Sequence, residues 1–225
     1  MESPEMKLLP LFILSLALFA PATAELYRLT PSQTERVQGV LDRLEEGDTV
    51  IFERGTYQTK DALVLKNKTG VELRASGKVE IVLNSLEQAV LEIENCQDIR
   101  ISGLRARHQK PNREYACEGA VISVRQSEQV GISGCELNGC GAAGVYANQV
   151  KDLVVFDNKI FNNTFAGVWL SDTQGHIYRN RLYDNAADFV TYGECDVVMR
   201  ANKVEKNDGN DFMRSDFFDA VVNGR

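Results

Sequence analysis

Apolar and polar residues alternate along the second half of the chain in a pattern that repeats every 22 residues. The repeated stretch occupies residues 155–163, 177–185 and 199–207, with two equivalent asparagines in each copy (Asn158, Asn180, Asn202 and Asn163, Asn185, Asn207). Alternation with a period of two is typical of strands that bury one face. A fixed period in the low twenties is typical of solenoids. A leucine-rich repeat has a similar length, but its leucine spacing and helical half are absent, so the pattern predicts a β-solenoid.

One strand position can be followed through the chain as a triplet whose outer members are apolar. The predicted triplets begin at Leu63, Leu91, Ile122, Val145, Val168, Val190 and Phe212. The first and third residues of each triplet should point inward and the middle one outward. Second and third strands follow in each coil, so the chain from residue 62 to residue 225 is predicted to form about seven coils.

The segment before the coils predicts a helix. Between Thr30 and Glu46, the residues Val37, Val40, Leu41 and Leu44 fall on one helical face, and Ser32 with Glu35 three positions later predicts a capping box. A solenoid end exposes strand edges and apolar side chains that must be covered. Residues 25–61 are therefore predicted to be an N-terminal cap helix and a first coil, with a strand at 49–52 and a turn at 54–57.

Residues 1–24 read as a secretory signal peptide. Lys7 precedes the apolar run Leu8–Ala20, and an Ala-x-Ala site ending at Ala24 comes directly before Glu25. The run is shorter than the ~20 apolar residues of a membrane span. The sequence therefore predicts an exported protein, periplasmic or secreted, with no membrane span after cleavage.

Composition and charge limit the classes of molecule that the protein is expected to bind. The chain has 225 residues, of which 44% are hydrophobic and 25% charged, and its formal net charge is −7. Removing one basic and two acidic residues with the signal leaves 24 basic against 30 acidic residues, a net charge of −6. An acidic mature chain argues against nucleic acid as a partner.

Residues 46–57, Glu-Gly-Asp-Thr-Val-Ile-Phe-Glu-Arg-Gly-Thr-Tyr, are followed by repeated Ile-x-x-Asn coils. Together they resemble the right-handed parallel β-helix proteins of the pectate-lyase-like superfamily, over about residues 30–216. The resemblance implies an all-β, right-handed parallel β-helix whose asparagine stacks are structural. It does not set the activity, because the same coil serves lyases, hydrolases, epimerases, adhesins and non-enzymes.

The outward positions of the first strands form two ladders that carry the candidate binding residues. The predicted ladders are Val64, Glu92, Ser123, Tyr146, Trp169, Thr191, Met213 and Lys66, Glu94, Arg125, Asn148, Ser171, Gly193, Ser215. Sugar rings stack on aromatic faces, and arginine can clamp a carboxylate. Arg125, Tyr146 and Trp169 are therefore predicted to bind substrate, the alternative being that Trp169 packs against Tyr146 beneath a loop.

The longest coil has extra residues between Arg105 and Gly119. The candidate catalytic residues belong to this segment or lie beside it. Arg105, Arg107, Lys110 and Arg113 would give this segment a basic patch suited to an anionic sugar chain, or it is an ordinary solvated loop. No catalytic motif of the superfamily is complete. His108, Tyr115 and Arg125 are candidates by position and acid–base capacity. No metal site is predicted. Ca²⁺, which related lyases hold with several acidic residues, is left open, because only Glu92 and Glu94 stand at the matching strand.

The mature chain has five cysteines. Cys135 and Cys140 take the places of Asn158 and Asn163, and Cys117 falls one coil before Cys140. Stacked positions lie roughly 4.8 Å apart, inside the disulfide window, so a Cys117–Cys140 bond is one alternative and a column of free thiols the other.

These patterns together favour an exported β-helix protein that binds or acts on acidic polysaccharide. The alternative is a non-catalytic β-helix that serves as a structural or protein-interaction module.

Overall fold

The computed structural model describes residues 23–109, 118–139 and 142–207. A 3-10 helix (Pro31–Arg36) and helix α1 (Val37–Arg43) follow the first strand. The strands of these residues are, in chain order, β1 (Leu26–Leu29), β2 (Thr49–Thr59), β3 (Leu63–Lys66), β4 (Thr69–Leu83), β5 (Leu91–Glu94), β6 (Gln97–Ser102), β7 (Arg105–His108), β8 (Ile122–Ser133), β9 (Glu136–Asn138), β10 (Ala143–Lys151), β11 (Leu153–Phe156), β12 (Lys159–Phe161), β13 (Ala166–Ser171), β14 (Gln174–Tyr178), β15 (Arg181–Tyr183), β16 (Phe189–Tyr192), β17 (Asp196–Arg200) and β18 (Lys203–Glu205).

The strands pair only in parallel, each with its counterpart one coil away, and form a β-solenoid of about seven turns. The first face contains β3, β5, the start of β8, β10, β13 and β16. The second face contains β1, the starts of β2 and β4, β6, the end of β8, β11, β14 and β17. The third face contains the ends of β2 and β4, β7, β9, β12, β15 and β18. The predicted fold class is confirmed.

The inward columns form one continuous apolar core. On the first face, the column Leu65, Ile93, Val124, Ala147 and Leu170 is buried from β3 to β13. The predicted register is confirmed for the first five triplets, from the one that begins at Leu63 to the one that begins at Val168. Burial of these side chains against the next coil supplies the main driving force for stacking.

The prediction for the sixth triplet is wrong by one residue. Val168 pairs with Phe189 and Trp169 with Val190, so the triplet begins at Phe189 and not at Val190. Because a slip of one residue exchanges the two faces of a strand, Tyr192 continues the Arg125 ladder in place of Gly193 and is 74% exposed. The predicted triplet at Phe212 lies outside the described residues.

Two asparagine ladders close two of the corners between faces. The Oδ1 atoms of Asn158, Asn180, Asn185, Asn202 and Asn207 accept from the backbone N–H of the ladder residue one coil before. The N–H of Asn158 donates to Asn180 at 3.0 Å, for example, and that of Asn163 donates to Asn185 at 3.1 Å. Cys135 occupies the ladder position before Asn158, as predicted, and its N–H donates to Asn158 Oδ1 at 2.9 Å. The residue before each ladder asparagine has a left-handed backbone, as at Asp157 (φ 57°) and Arg179 (φ 56°). The asparagines therefore hydrogen-bond one coil to the next at this corner, while the residues before them make the turn.

The N-terminal helix covers the first coil as predicted, but the cap lies two residues earlier than Ser32. The N-cap is Thr30, and Gln33 Oε1 accepts from Thr30 N at 3.0 Å. Helix α1 follows and buries Val37, Val40 and Leu41. Within the next coil, β2 runs continuously through the predicted turn at 54–57, with a bulge between Glu53 and Gly55.

A side chain of the helix completes the open edge of the first face. Gln38 Nε2 donates to Val64 O at 2.9 Å, and Val64 N donates to Gln38 Oε1 at 2.8 Å. The carboxamide thereby makes the two hydrogen bonds that a preceding strand would make with β3.

The predicted signal peptide lies outside the described residues except for its last two, Thr23 and Ala24. In the part of the chain that the structure describes, no helix has the length and apolar character needed to cross a membrane.

Candidate functional site

A pocket of about 200 Å³ opens on the outer side of the first face. Its floor follows the outward ladder predicted from the sequence, in which Glu92, Ser123, Tyr146 and Trp169 lie on consecutive coils. Ser123 is 4% exposed and shorter than its neighbours, so it leaves the hollow between Glu92 and Tyr146. We call this hollow, with its walls, the first-face pocket. The full lining is Glu87, Ala89, Glu92, Glu118, Gly119, Ala120, Ser123, Arg125, Ala142, Ala143, Tyr146 and Trp169.

The walls come from the corner segments that lead from the third face back to the first. Glu87 precedes β5, Glu118 precedes β8, and Ala142 precedes β10. Two of these segments are tied together, because Glu118 N and Gly119 N donate to Leu86 O at 3.0 and 3.2 Å. A Cβ at Gly119 would lie 1.9 Å from Gln88 O. Glycine is therefore required for the two walls to approach this closely.

His108 stands behind this wall and is absent from the pocket lining. The ring is fully buried, and since a carbonyl oxygen only accepts, Nε2–H donates to Gln88 O at 2.9 Å. Burial lowers the pKa of His108 and keeps the ring neutral. The hydrogen bond anchors the backbone between Glu87 and Ala89, so His108 holds the wall in place and does not face a ligand.

Two aromatic rings line the pocket, and a third supports them. Tyr146 and Trp169 have ring centroids 4.8 Å apart at 57°, and Phe165, which is outside the lining, contacts Trp169 with centroids 5.0 Å apart at 61°. Asn148 Nδ2 donates to Tyr146 Oη at 3.0 Å and fixes the tyrosine. Trp169 is half-buried, so it both packs within the cluster and presents part of its ring to the pocket. The contact with Tyr146 that one alternative predicted is present, and binding of substrate by Trp169 stays a prediction.

Arg125 is the positive charge of the pocket lining. It is exposed, and its Cζ lies 5.5 Å from the Tyr146 ring centroid, a cation–π contact. Among the described residues it forms no ion pair, whereas Lys66 on the same ladder pairs with Glu94 at 2.8 Å. Glu87, Glu92 and Glu118 line the same pocket. The described part of the lining therefore has three carboxylates and one guanidinium.

The prediction of a basic patch is wrong for two of its four residues, Arg105 and Arg107. Arg105 and Arg107 belong to β7 on the third face, where Arg105 pairs with Glu136 and Arg107 with Glu80, both at 3.0 Å. The segment that carries the excess begins only after β7. Lys110 and Arg113 lie outside the described residues.

Several other predicted positions lie outside the described residues, namely Tyr115, Cys117 and Cys140, so the predicted disulfide does too. The cysteines that are described, Cys96, Cys135 and Cys195, are free. Burial raises the pKa of the Cys135 thiol to about 11, which makes it an inert ladder residue.

No group of three or more His, Cys, Asp or Glu residues in residues 23–109, 118–139 and 142–207 could hold a metal ion. The three glutamates of the pocket therefore do not converge on one cation.

Three residues of the site were missed by sequence reasoning: Glu87, Glu118 and Phe165. All three lie in corner segments whose length changes from coil to coil, so stacking strands on one another does not align them. The only feature of the sequence that could have assigned them to the site is that each lies shortly before a first-face strand.

Comparison with known proteins gives one family and several structures. The model of a right-handed β-helix region matches residues 49–216. A comparison with curated protein sequences finds no match. Among solved structures, an alginate lyase from Paenibacillus has 13% identity and a TM-score of 0.58, covering 84% of this chain and 78% of its own. A proposed glycosyl hydrolase from Parabacteroides merdae has 15% identity and a TM-score of 0.58, with coverages of 76% and 97%. ORF18 of Geobacillus virus E2 has 12% identity and a TM-score of 0.58, and the match covers 79% of this chain but 40% of the viral protein.

Proposed function

The chain belongs to the right-handed β-helix family, whose model covers residues 49–216, and from that premise we propose that it binds a polysaccharide in the first-face pocket. The observation that carries the proposal is Trp169, the one tryptophan of the chain, which borders a polar pocket on the outer surface of a sheet. A large ring held between Tyr146 and Phe165 offers a rigid apolar surface to the C–H face of a sugar. Glu92, Ser123 and Arg125 beside it can bond to hydroxyl groups.

The fold gives this proposal a suitable geometry. Coils are stacked at roughly 4.8 Å, so the ladder from Glu92 to Trp169 is a straight row along the solenoid axis. A linear sugar chain laid along that row would meet polar and aromatic groups in turn. Enzymes that act on polysaccharides are among the proteins with this fold, such as the alginate lyase, which supports the ligand class.

The ligand is proposed to be acidic because of Arg125. Its guanidinium has no carboxylate partner among the described residues and can bind a sugar carboxylate in a bidentate manner. The three glutamates disfavour a polymer made only of uronic acids, because its carboxylates would lie close to theirs and be repelled. A polymer in which acidic sugars alternate with neutral ones fits the pocket better.

The test is binding by wild type and by Trp169→Ala, followed through intrinsic fluorescence and calorimetry. The panel is a polyuronate, hyaluronate as an alternating acidic polymer, and a neutral glucan. We expect hyaluronate to perturb the fluorescence of wild type, and Trp169→Ala to weaken binding about tenfold, the scale of one aromatic contact of about 1.4 kcal/mol. Tyr183→Ala, which removes a stacked ring from the third face, is the matched control and should bind normally.

Two further measurements on the same panel test the role of Arg125 and whether the protein cleaves the polymer. Arg125→Gln should reduce binding of acidic polymers and leave a neutral ligand unaffected. Absorbance of unsaturated uronates, with and without Ca²⁺, detects lyase turnover, for which we propose Arg125, a residue of the pocket lining, as the candidate catalytic residue. If no polymer of the panel binds wild type, the proposal is wrong and the non-catalytic interaction module is the better account.

We also propose that the protein is exported, on the strength of the apolar run Leu8–Ala20 and the site ending at Ala24. Expressed with its full sequence in a bacterium, the protein should appear outside the cytoplasm with Glu25 as its first residue, as measured by intact mass. Ala24→Arg should block cleavage. Recovery of exported protein that still contains Met1 would contradict the proposal.

A further inference from the structure

The outer side of the second face carries two columns of side chains away from the first-face pocket. The registers place them in the orders Glu72, Arg100, Gly131, Val154, His176, Val198 and Arg74, Ser102, Ser133, Phe156, Tyr178, Arg200. Large side chains occupy both columns from β11 onward. At the end of β8 both columns shrink together, to Gly131 and Ser133.

An aromatic stack ends where the columns shrink. Phe156 and Tyr178 lie parallel, with centroids 5.3 Å apart at 9°, and the Arg179 Cζ is 5.3 Å from the Tyr178 centroid. The next residue of the column on the other side of Phe156 is Ser133. One face of the Phe156 ring is therefore covered by Tyr178, and the other turns toward a coil that has no ring.

The missing ring leaves a groove of about 770 Å³, which we call the Phe156 groove. It is lined by Asp98, Arg100, Gln129, Val130, Gly131, Ser133, Asp152, Val154, Phe156 and His176. Coils lie roughly 4.8 Å apart, so the gap between the Phe156 coil and the Arg100 coil is about 10 Å. A flat ring stacked on Phe156 would fill the Ser133 level and continue the column, because stacked rings prefer centroid distances of about 4.5–7 Å.

The polar groups of the groove indicate the kind of ring. The Ser133 hydroxyl can donate and accept, the Asp98 and Asp152 carboxylates accept, and the Arg100 guanidinium donates, although it also pairs with Asp98 at 2.8 Å. Such a mixed set suits a ring with several hydroxyl groups and an apolar face. Unlike Arg125, Arg100 is already paired with a carboxylate, and Asp152 adds a second negative charge, so the groove disfavours an anionic ligand.

We propose that the Phe156 groove is a second binding site, specific for a neutral pyranose ring of a glycan. The ring stacks on the free face of Phe156, and its hydroxyl groups bond to Ser133, Asp152 and Arg100. The site lies on a different face from the first-face pocket and uses none of its residues, so it stands or fails separately from the function proposed for that pocket.

The experiment uses the full chain carrying Trp169→Ala, so that the first-face pocket contributes less binding. Cellohexaose, mannohexaose and maltohexaose are the neutral probes, hyaluronate hexasaccharide is the acidic probe, and a single-stranded oligonucleotide tests for a nucleobase. Binding is measured by titration calorimetry. We expect at least one neutral hexaose to bind, and Phe156→Ala to weaken it about tenfold.

Two variants separate binding from folding. Ser133→Phe supplies a protein ring at the empty level, so it should abolish binding while leaving the unfolding midpoint unchanged or raised. Phe161→Ala removes a ring from the equivalent stack of the third face, where Phe161 and Tyr183 lie 4.7 Å apart, and should leave binding intact. The proposal is overturned if no neutral hexaose binds, if binding survives Ser133→Phe, or if only hyaluronate or the oligonucleotide binds.

Discussion

Asn180→Ala should lower the free energy of unfolding by about 3–5 kcal/mol. Asn180 is 1% exposed and lies in the middle of its ladder. Its Nδ2 donates to Val155 O at 2.8 Å and to Asn202 Oδ1 at 3.1 Å, while its Oδ1 accepts from Asn158 N and Nδ2, both at 3.0 Å. Alanine leaves Val155 O and Asn158 N buried without these partners, and each such group costs roughly 1–3 kcal/mol. Urea unfolding followed by circular dichroism measures the loss.

Asn138→Ala is the matched control. The Asn138 side chain is half-buried and accepts one bond, from Asn162 Nδ2 at 3.2 Å, so its removal should cost less than about 1 kcal/mol. If the two variants unfolded at the same urea concentration, the ladder would not be what stabilises this corner.

Gly175→Ala should be at least as damaging, with a loss above about 3 kcal/mol. Gly175 lies inward between Leu153 and Val197 on neighbouring coils. A Cβ there would fall 2.0 Å from Leu153 O and 2.8 Å from Leu153 C. Ordinary overpacking costs about 1–3 kcal/mol because side chains rotate away, but these atoms belong to the backbone of a paired strand. The coils must separate locally, and the urea midpoint should fall accordingly.

The opposite result is expected for Gly39→Ala, the control for this variant. Gly39 is inside α1, and a Cβ there would have no heavy atom within 4 Å. Alanine should therefore stabilise the helix by about 0.5–1 kcal/mol. Destabilisation by Gly39→Ala, or a normal midpoint for Gly175→Ala, would contradict the packing described here.

The fold could be predicted because the period of the asparagines and the alternation of apolar residues agree over several coils. The error at Phe189 has a local cause. In the sequence Phe189-Val-Thr-Tyr192, both alternations have apolar members, and Phe189 follows its partner Val168 by 21 residues, one fewer than the asparagine spacing. The asparagine spacing of 22 does not reveal this change, because Asn163 and Asn185 come near the start of this corner and the missing residue follows them. Only the pairing of Val168 with Phe189 settles the register.

The candidate site was predictable where it lies on strands. Counting along the repeat placed Glu92, Ser123, Tyr146 and Trp169 on consecutive coils, as the registers show. Counting could not show that His108 is buried behind the wall, because this depends on a contact between a third-face strand and a corner segment. Arg105 is predicted from the sequence to lie in a loop, so its pairing with Glu136 on the neighbouring strand of the third face is missed. The charge balance of the first-face pocket likewise depends on Glu87 and Glu118, whose segments follow no repeat.

The corners of the solenoid differ in how freely their length can change during evolution. Between the second and third faces the connection is residues 103–104, 134–135, 157–158, 179–180 and 201–202 in successive coils, always the same short turn. Between the third and first faces it is 84–90, 109–121, 139–142, 162–165 and 184–188. Insertions therefore accumulate at one edge, and that edge supplies the walls of the first-face pocket. A lineage could reshape what the pocket accepts by lengthening or shortening these segments, without disturbing the stacked strands that hold the pocket up.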